Sequence, residues 1–98
     1  MKNFYQFNQK AINEIIKFLV EKDDKPNWLE INDIELELNG DILNIILQNI
    51  YYIQLDLSNS QNHLDTFAIK GSGGFGYEDL EFVLSVMRDK NEIINILK

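Results

Sequence analysis

Residues 70 to 80 read K-G-S-G-G-F-G-Y-E-D-L, and Gly71, Gly73 and Gly76 among them spell G-x-G-x-x-G. That spacing belongs to turns that cradle the pyrophosphate of a dinucleotide, because glycine permits both the tight turn and close approach of backbone to phosphate. The same chemistry needs a second parallel strand and a ribose-binding acid within about 30 residues. In the 98 residues given we expect no room for such a unit. No Lys-Ser/Thr follows the glycines, as a P-loop would require. Glu78, Asp79 and Glu81 stand at the start of an expected helix, where the helix dipole favours acids and where a phosphate would otherwise sit. We therefore expect no cofactor. Two readings of the stretch remain: a flexible strand-to-helix connection, or a contact loop whose glycines let backbone approach a partner while Phe75 and Tyr77 act as aromatic anchors.

Other reactive constellations are sparse. The chain has no cysteine, which excludes disulfides, thiol nucleophiles and Cys-ligated zinc and is compatible with a reducing compartment. His63 is the single histidine, and Asp65 beside it does not make a ligand set. No D-x-[DN]-x-[DN]-G loop is present for calcium. His63, Asp65 and Ser72 have the residue types of a nucleophile triad, but nothing in their spacing implies its geometry. Paired carboxylates for glycoside hydrolysis exist in any acidic chain. We expect no catalytic and no metal-binding residues.

The acidic residues themselves are the stronger signal. The formal net charge is −7, and it is regional. Residues 1–22 sum to +2 and residues 82–98 to +1, whereas residues 23–81 hold twelve acids against Lys25 and Lys70. Such a surface disfavours nucleic acid and anionic membranes, which need clustered Lys and Arg. It attracts a basic protein partner and speeds encounter with it. Asp33, Glu35 and Glu37 recur at strand spacing, Asp41 lies across the following turn, and Asp23-Asp24 precede them. They form either a solvated sheet face or a docking surface for which Tyr51, Tyr52 or Trp28 would supply apolar anchors. Like charges on neighbouring strand positions repel, a cost that a cationic partner would relieve.

The elements that position these groups follow from periodicity. Ala11, Ile12, Ile15, Ile16, Leu19 and Val20 keep helical spacing within residues 4–22, with Asn3 or Asn8 as alternative caps. Asp23-Asp24-Lys25-Pro26-Asn27 ends that helix. The period then changes to two: Ile34, Leu36 and Leu38 alternate with Asp33, Glu35 and Glu37, and Asn39-Gly40 signals a hairpin. A turn there opposes Leu36 to Leu43 and Ile34 to Ile45. Residues 42–57 exceed an ordinary strand, so a break is expected near Gln48-Asn49, with strands at about 42–47 and 50–57. Leu64–Lys70 returns as a strand, and Leu80, Val83, Leu84 and Met87 keep helical spacing. Residues 92–97 fit either a helical turn or a short strand. The expected fold is α+β: one domain over residues 1–98, with an antiparallel sheet of about four strands and N- and C-terminal helices packed on one face. No run approaches the roughly 18–20 apolar residues of a membrane span, and the start of the chain lacks the pattern of a signal peptide. We expect a soluble, cytoplasmic protein.

The acidic hairpin D-I-E-L-E-L-N-G-D and the segment D-T-F-A-I-K-G-S-G-G-F-G-Y-E-D-L-E-F-V-L, taken with size and charge, give a profile that resembles the small cytoplasmic immunity proteins of bacterial polymorphic-toxin and contact-dependent inhibition systems. The resemblance implies a non-enzymatic protein that neutralises a cognate toxin by capping it, the partner being a nuclease-type domain with a basic surface. Asp33, Glu35, Glu37, Asp41, Tyr51, Tyr52, Phe75, Tyr77, Glu78 and Asp79 are the candidate contacts, named from charge and aromatic character. A nucleic-acid mimic of the phage-inhibitor kind, or an adaptor domain, shares the same charge argument.

Overall fold

The apolar–acidic alternation of Ile34 to Asn39 demands a strand with one dry face, and the rest of the chain supplies its cover. A computed structural model describes residues 5–71 and 74–98. Asn3, Ser72 and Gly73 lie outside the described residues. The elements run α1 (Gln9–Val20), a 3-10 turn (Ile31–Asp33), β1 (Ile34–Asn39), β2 (Ile42–Leu47), β3 (Tyr51–Asp56), β4 (Thr66–Ile69), α2 (Tyr77–Arg88) and α3 (Lys90–Leu97). The strands form one antiparallel sheet in the order β1-β2-β3-β4. The fold is α+β, as the periodicity implies, and residues 92–97 are helical. Asn8 is the cap of α1: its side-chain oxygen accepts from Ala11 N–H at 2.9 Å.

The first hairpin differs from expectation in one respect. The turn is Gly40-Asp41, not Asn39-Gly40, and Leu36 faces Ile45 while Ile34 faces Leu47. Gly40 takes φ +60° and Asp41 does not share the positive φ, the pattern of a two-residue turn with glycine at its first central position. The pairing moves by two residues on β2, and because side chains alternate with a period of two, every residue keeps its face. The second connection, Gln48 to Ile50, places Gln48 and Asn49 at φ of 52° and 60°. The predicted break therefore falls where two consecutive residues turn left-handed.

All three helices close over the same side of the sheet. Leu43, Ile45, Leu47, Tyr51, Ile53 and Leu55 point inward at 0% exposure and join Ala11, Ile15 and Leu19 of α1, Phe82, Val83 and Val86 of α2, and Ile93 and Leu97 of α3 in one core. Each such side chain contributes about 1.5–3 kcal/mol through burial. On α2 the buried stripe is Phe82, Val83, Val86 and Met87, while Leu84 is 56% exposed, against the sequence expectation. Two stripes fit the helical period, and burying the phenyl ring of Phe82 selects this one.

Two lysines hold the helical layer to the sheet and to itself. Lys90 is 1% exposed, and its Nζ donates to Asp56 O at 2.9 Å, Gln61 O at 2.8 Å and Asp65 Oδ1 at 3.0 Å. All three ammonium donors are thus engaged, and the long β3–β4 connection is tied to the start of α3. Asp65, whose side chain is fully buried, also accepts from Asp56 N–H at 2.9 Å. Lys22, at the end of α1, lies over the ring of Phe18 and pairs with Asp89 Oδ2 at 2.5 Å, at the corner between α2 and α3.

Breaking the Lys90–Asp65 pair from one side leaves a buried charge without its partner. Lys90→Met is expected to cost about 3–5 kcal/mol in urea unfolding. In a double-mutant cycle with Asp65→Asn the two losses should be strongly non-additive; additive losses would show that the pair is not coupled. Acid titration probes the other contact. The hydrogen bond from Lys22 holds the Asp89 carboxyl below the ordinary value of 3.8, and the Ser58 hydroxyl does the same for Asp56. A depressed carboxyl stabilises the fold above its unfolded value and loses that contribution as pH falls through its folded value. Stability should therefore fall below pH 3.8, and Lys22→Met should flatten that part of the profile.

Candidate binding face

Among the described residues no helix packs on the outer side of the sheet, and side chains there are arranged by register. Glu35 stands across from Ile46, Ile46 from Tyr52, and Tyr52 from Ala68. The next row is Glu37, Asn44, Gln54 and Thr66. Glu35 and Glu37 are exposed on edge strand β1 and form no ion pair among the described residues. Glu37, Asn44, Ile46, Tyr52, Gln54 and Lys70 line a shallow hollow of about 280 Å³. A neighbouring hollow of about 240 Å³ continues over Asp33, Glu35 and Ile46 toward Gln48 and Asn49.

The chemistry of the hollow is that of an acceptor surface with an aromatic floor. Asn44 Oδ1 is buried yet accepts no hydrogen bond, and Gln54 Oε1 accepts from the Thr66 hydroxyl at 3.1 Å. Lys70 Nζ sits 6.0 Å from the centre of the Tyr52 ring, which marks that ring as a platform for cations. Asn44, Gln54 and Lys70 carry no signal in the linear sequence. They become legible only once β2, β3 and β4 are set in register.

The predicted contacts are dispersed by the fold. Glu35, Glu37 and Tyr52 share this face. Asp33 does not extend their row: it belongs to the 3-10 turn, where Oδ2 accepts from Glu30 N–H at 2.8 Å and Oδ1 from the Gln48 amide at 2.6 Å. Asp41 is a turn residue whose carbonyl receives Leu57 N–H at 2.7 Å. Tyr51 has 0% exposure and belongs to the core, not to a surface. Alternation puts it opposite in direction to Tyr52, and its ring meets Trp28 and Phe75 edge to face at centroid distances of 6.3 and 5.0 Å. Burial, chiefly, pushes its phenol pKa well up, with the nearby Asp79 carboxylate adding to the shift. Neither Tyr51 Oη nor Asp79 Oδ1 completes a hydrogen bond.

Of the glycine segment, Gly71, Gly74 and Gly76 lie among the described residues. Gly71 and Gly74 take φ of +80° and +89°, and a Cβ on Gly74 would lie 3.3 Å from Ile50 Cγ2. Asp79, 4% exposed, turns back so that Oδ2 accepts from Gly76 N–H at 2.8 Å, which caps α2 from within. An acid thus occupies the helix end where the fingerprint would hold phosphate. Asp79 is consequently no surface contact. Phe75 is half-buried, stacked on Phe67 at 5.6 Å, whereas Tyr77 is 78% exposed and Glu78 is exposed beside it. His63 is exposed, and Asp65 is committed to Lys90. Among the described residues, no three of His, Cys, Asp and Glu are grouped to hold a metal ion.

Asn44 offers a test that needs no partner. An unpaired buried acceptor is a cost to the free protein, and valine suits a strand better than asparagine. Asn44→Val should raise stability by about 1 kcal/mol in urea unfolding. A loss of similar size would mean that the carbonyl is already satisfied.

Compared with protein-family models, curated proteins and solved structures, the chain matches none.

Proposed function

We propose that the protein is a non-catalytic binding module whose uncovered sheet face caps a cationic protein. The immunity-protein resemblance makes that partner a toxin domain, of the nuclease kind, whose substrate-binding surface is rich in Lys and Arg. One observation carries the reading: the unpaired Asn44 Oδ1 shares its hollow with Glu37 and Tyr52. Acceptors left without donors are matched by a group that brings donors and positive charge. A guanidinium does both, since its planar fork pairs with a carboxylate and stacks on an aromatic face. Glu35 and Glu37 extend the acceptor surface along β1, and the −7 net charge draws such a partner in from a distance.

The face suits capping better than small-molecule chemistry. Its hollows are shallow and lie side by side, and they share Ile46. A protein surface can span both. Lys70 at the far end, next to Tyr52, gives the surface a polarity: acids on the β1 side, a cation on the β4 side. A docked partner would thereby be held in one orientation.

Charge reversal tests this directly. Glu35→Lys combined with Glu37→Lys touches no ion pair and should leave the fold intact. Against a basic toxin domain encoded beside the gene, association at low salt should slow by about tenfold or more, with a smaller change in dissociation. The wild-type affinity should fall as salt rises. An association rate unchanged by the double reversal would place the contact elsewhere, and an affinity indifferent to salt would remove the electrostatic basis of the proposal.

A further inference from the structure

The two edges of the sheet are not equivalent. Lys70 N–H donates to Ile50 O at 2.6 Å, so residue 70 directs its backbone groups toward β3. Antiparallel pairing alternates, and Thr66 and Ala68, across from Gln54 and Tyr52, therefore do the same. Phe67 and Ile69 then turn both N–H and C=O to the free edge. Their side chains lie on the helical side of the sheet, across from Ile53 and Tyr51, yet they remain 37% and 51% exposed. Among the described residues, β4 is thus an edge with unpaired backbone and an under-covered apolar flank. It is short, four residues, but carries no proline and no charge among Thr66–Ile69, so the chemical devices that keep edges from pairing are missing.

We infer that this edge is the seat of a second copy of the chain, in a two-fold antiparallel pairing centred on Ala68. In that register Phe67 faces the second copy's Ile69 and Ile69 its Phe67. Four backbone hydrogen bonds close, all from groups that are unpaired in one chain. The half-exposed Phe67 and Ile69 side chains meet their counterparts on the helical side, which covers them. Ala68 meets Ala68 at the close, non-hydrogen-bonded position, where a small side chain fits.

Charge selects this edge and this occupant. Each chain is net acidic, so self-association requires a surface without acids. At β1 a two-fold pairing would set Glu35 and Glu37 against their own copies, like charges directly opposite. At β4 the flanking residues opposed in the proposed register are Lys70 and the second copy's Thr66, which do not repel. A β1-to-β4 contact would leave edges open and propagate, whereas β4-to-β4 closes. The acidic β1 strands then lie at the two far ends of an eight-stranded sheet.

Three measurements on the full chain test the pairing. Light scattering after size exclusion should give twice the chain mass at sub-millimolar concentration. Ile69→Pro removes an edge-facing N–H, which an edge strand tolerates, together with the half-exposed isoleucine side chain. It should shift the protein to monomer with its far-UV spectrum and urea midpoint retained. Ile69→Lys, which keeps the N–H but places charge on the flank, should do the same and serves where the proline variant does not fold. Ala68→Cys supplies the chain's sole thiol, and at a Cα separation of about 4.5 Å it should oxidise to a covalent dimer within the roughly 4.4–6.8 Å span of a disulfide. A wild-type monomer throughout overturns the inference, as does a dimer that survives both Ile69 variants or fails to cross-link through residue 68. A monomer whose Ile69→Pro variant loses the toxin partner would also overturn it, assigning the edge to that partner's strand.

Discussion

One-sided burial governs this molecule. The inner face of the sheet is lined by Leu43, Ile45, Leu47, Tyr51, Ile53 and Leu55, and each is removed fully from water. With a single layer of helices available, that cover is complete only if α1, α2 and α3 all lie on the same side. The opposite face must then remain open, and its residues must be able to live in water. Glu35, Glu37, Asn44 and Gln54 meet that condition. The open face is therefore the consequence of a core that takes every helix for itself.

Two lysines fix the layers, Lys90 through a buried pair and Lys22 through a partly buried one. Lys90 gathers Asp56 O, Gln61 O and Asp65 Oδ1 around one ammonium, while Lys22 joins α1 to Asp89 at the α2–α3 corner. Buried ion pairs add little net stability beside an apolar packing of equal volume, because desolvation opposes the Coulomb gain. Their directionality is what matters here. A three-fold donor accepts only one placement of the β3–β4 connection, and that placement sets where β4 begins. The position of the free edge is thus linked to a lysine on the far side of the core.

The two edges divide the labour. β1 is acidic along its exposed side, which suits attraction of cations and resists pairing with another acidic chain. β4 is uncharged and apolar on its flank, which favours strand addition. Between them lies the hollow floored by Tyr52, with an unpaired amide acceptor in it. A binding reading and an assembly reading consequently occupy different parts of the same sheet and do not compete.

Much of the architecture is legible in periodicity. The stripe from Ala11 to Val20, the alternation from Ile34 to Leu38 and the break at Gln48-Asn49 each depend on neighbours within a few residues, so one dimension suffices. The hairpin shows the margin of that reasoning: Asn39-Gly40 and Gly40-Asp41 both offer glycine to a tight turn, and the choice rests on which pairing seats Ile34 against Leu47. Tyr51 and Tyr52 look alike in sequence, but one-residue alternation sends one to the core and the other to the open face. Asp79 and Lys90 look like surface charge, because local pattern is silent on partners that lie distant along the chain. That the helix start is taken by an acid is legible from either vantage, since Asp79, which caps α2, lies three residues beyond Gly76. Local repeats encode which face is dry; convergence of polar groups from separate segments is set by three-dimensional packing, where desolvation penalises every arrangement that leaves them unpaired.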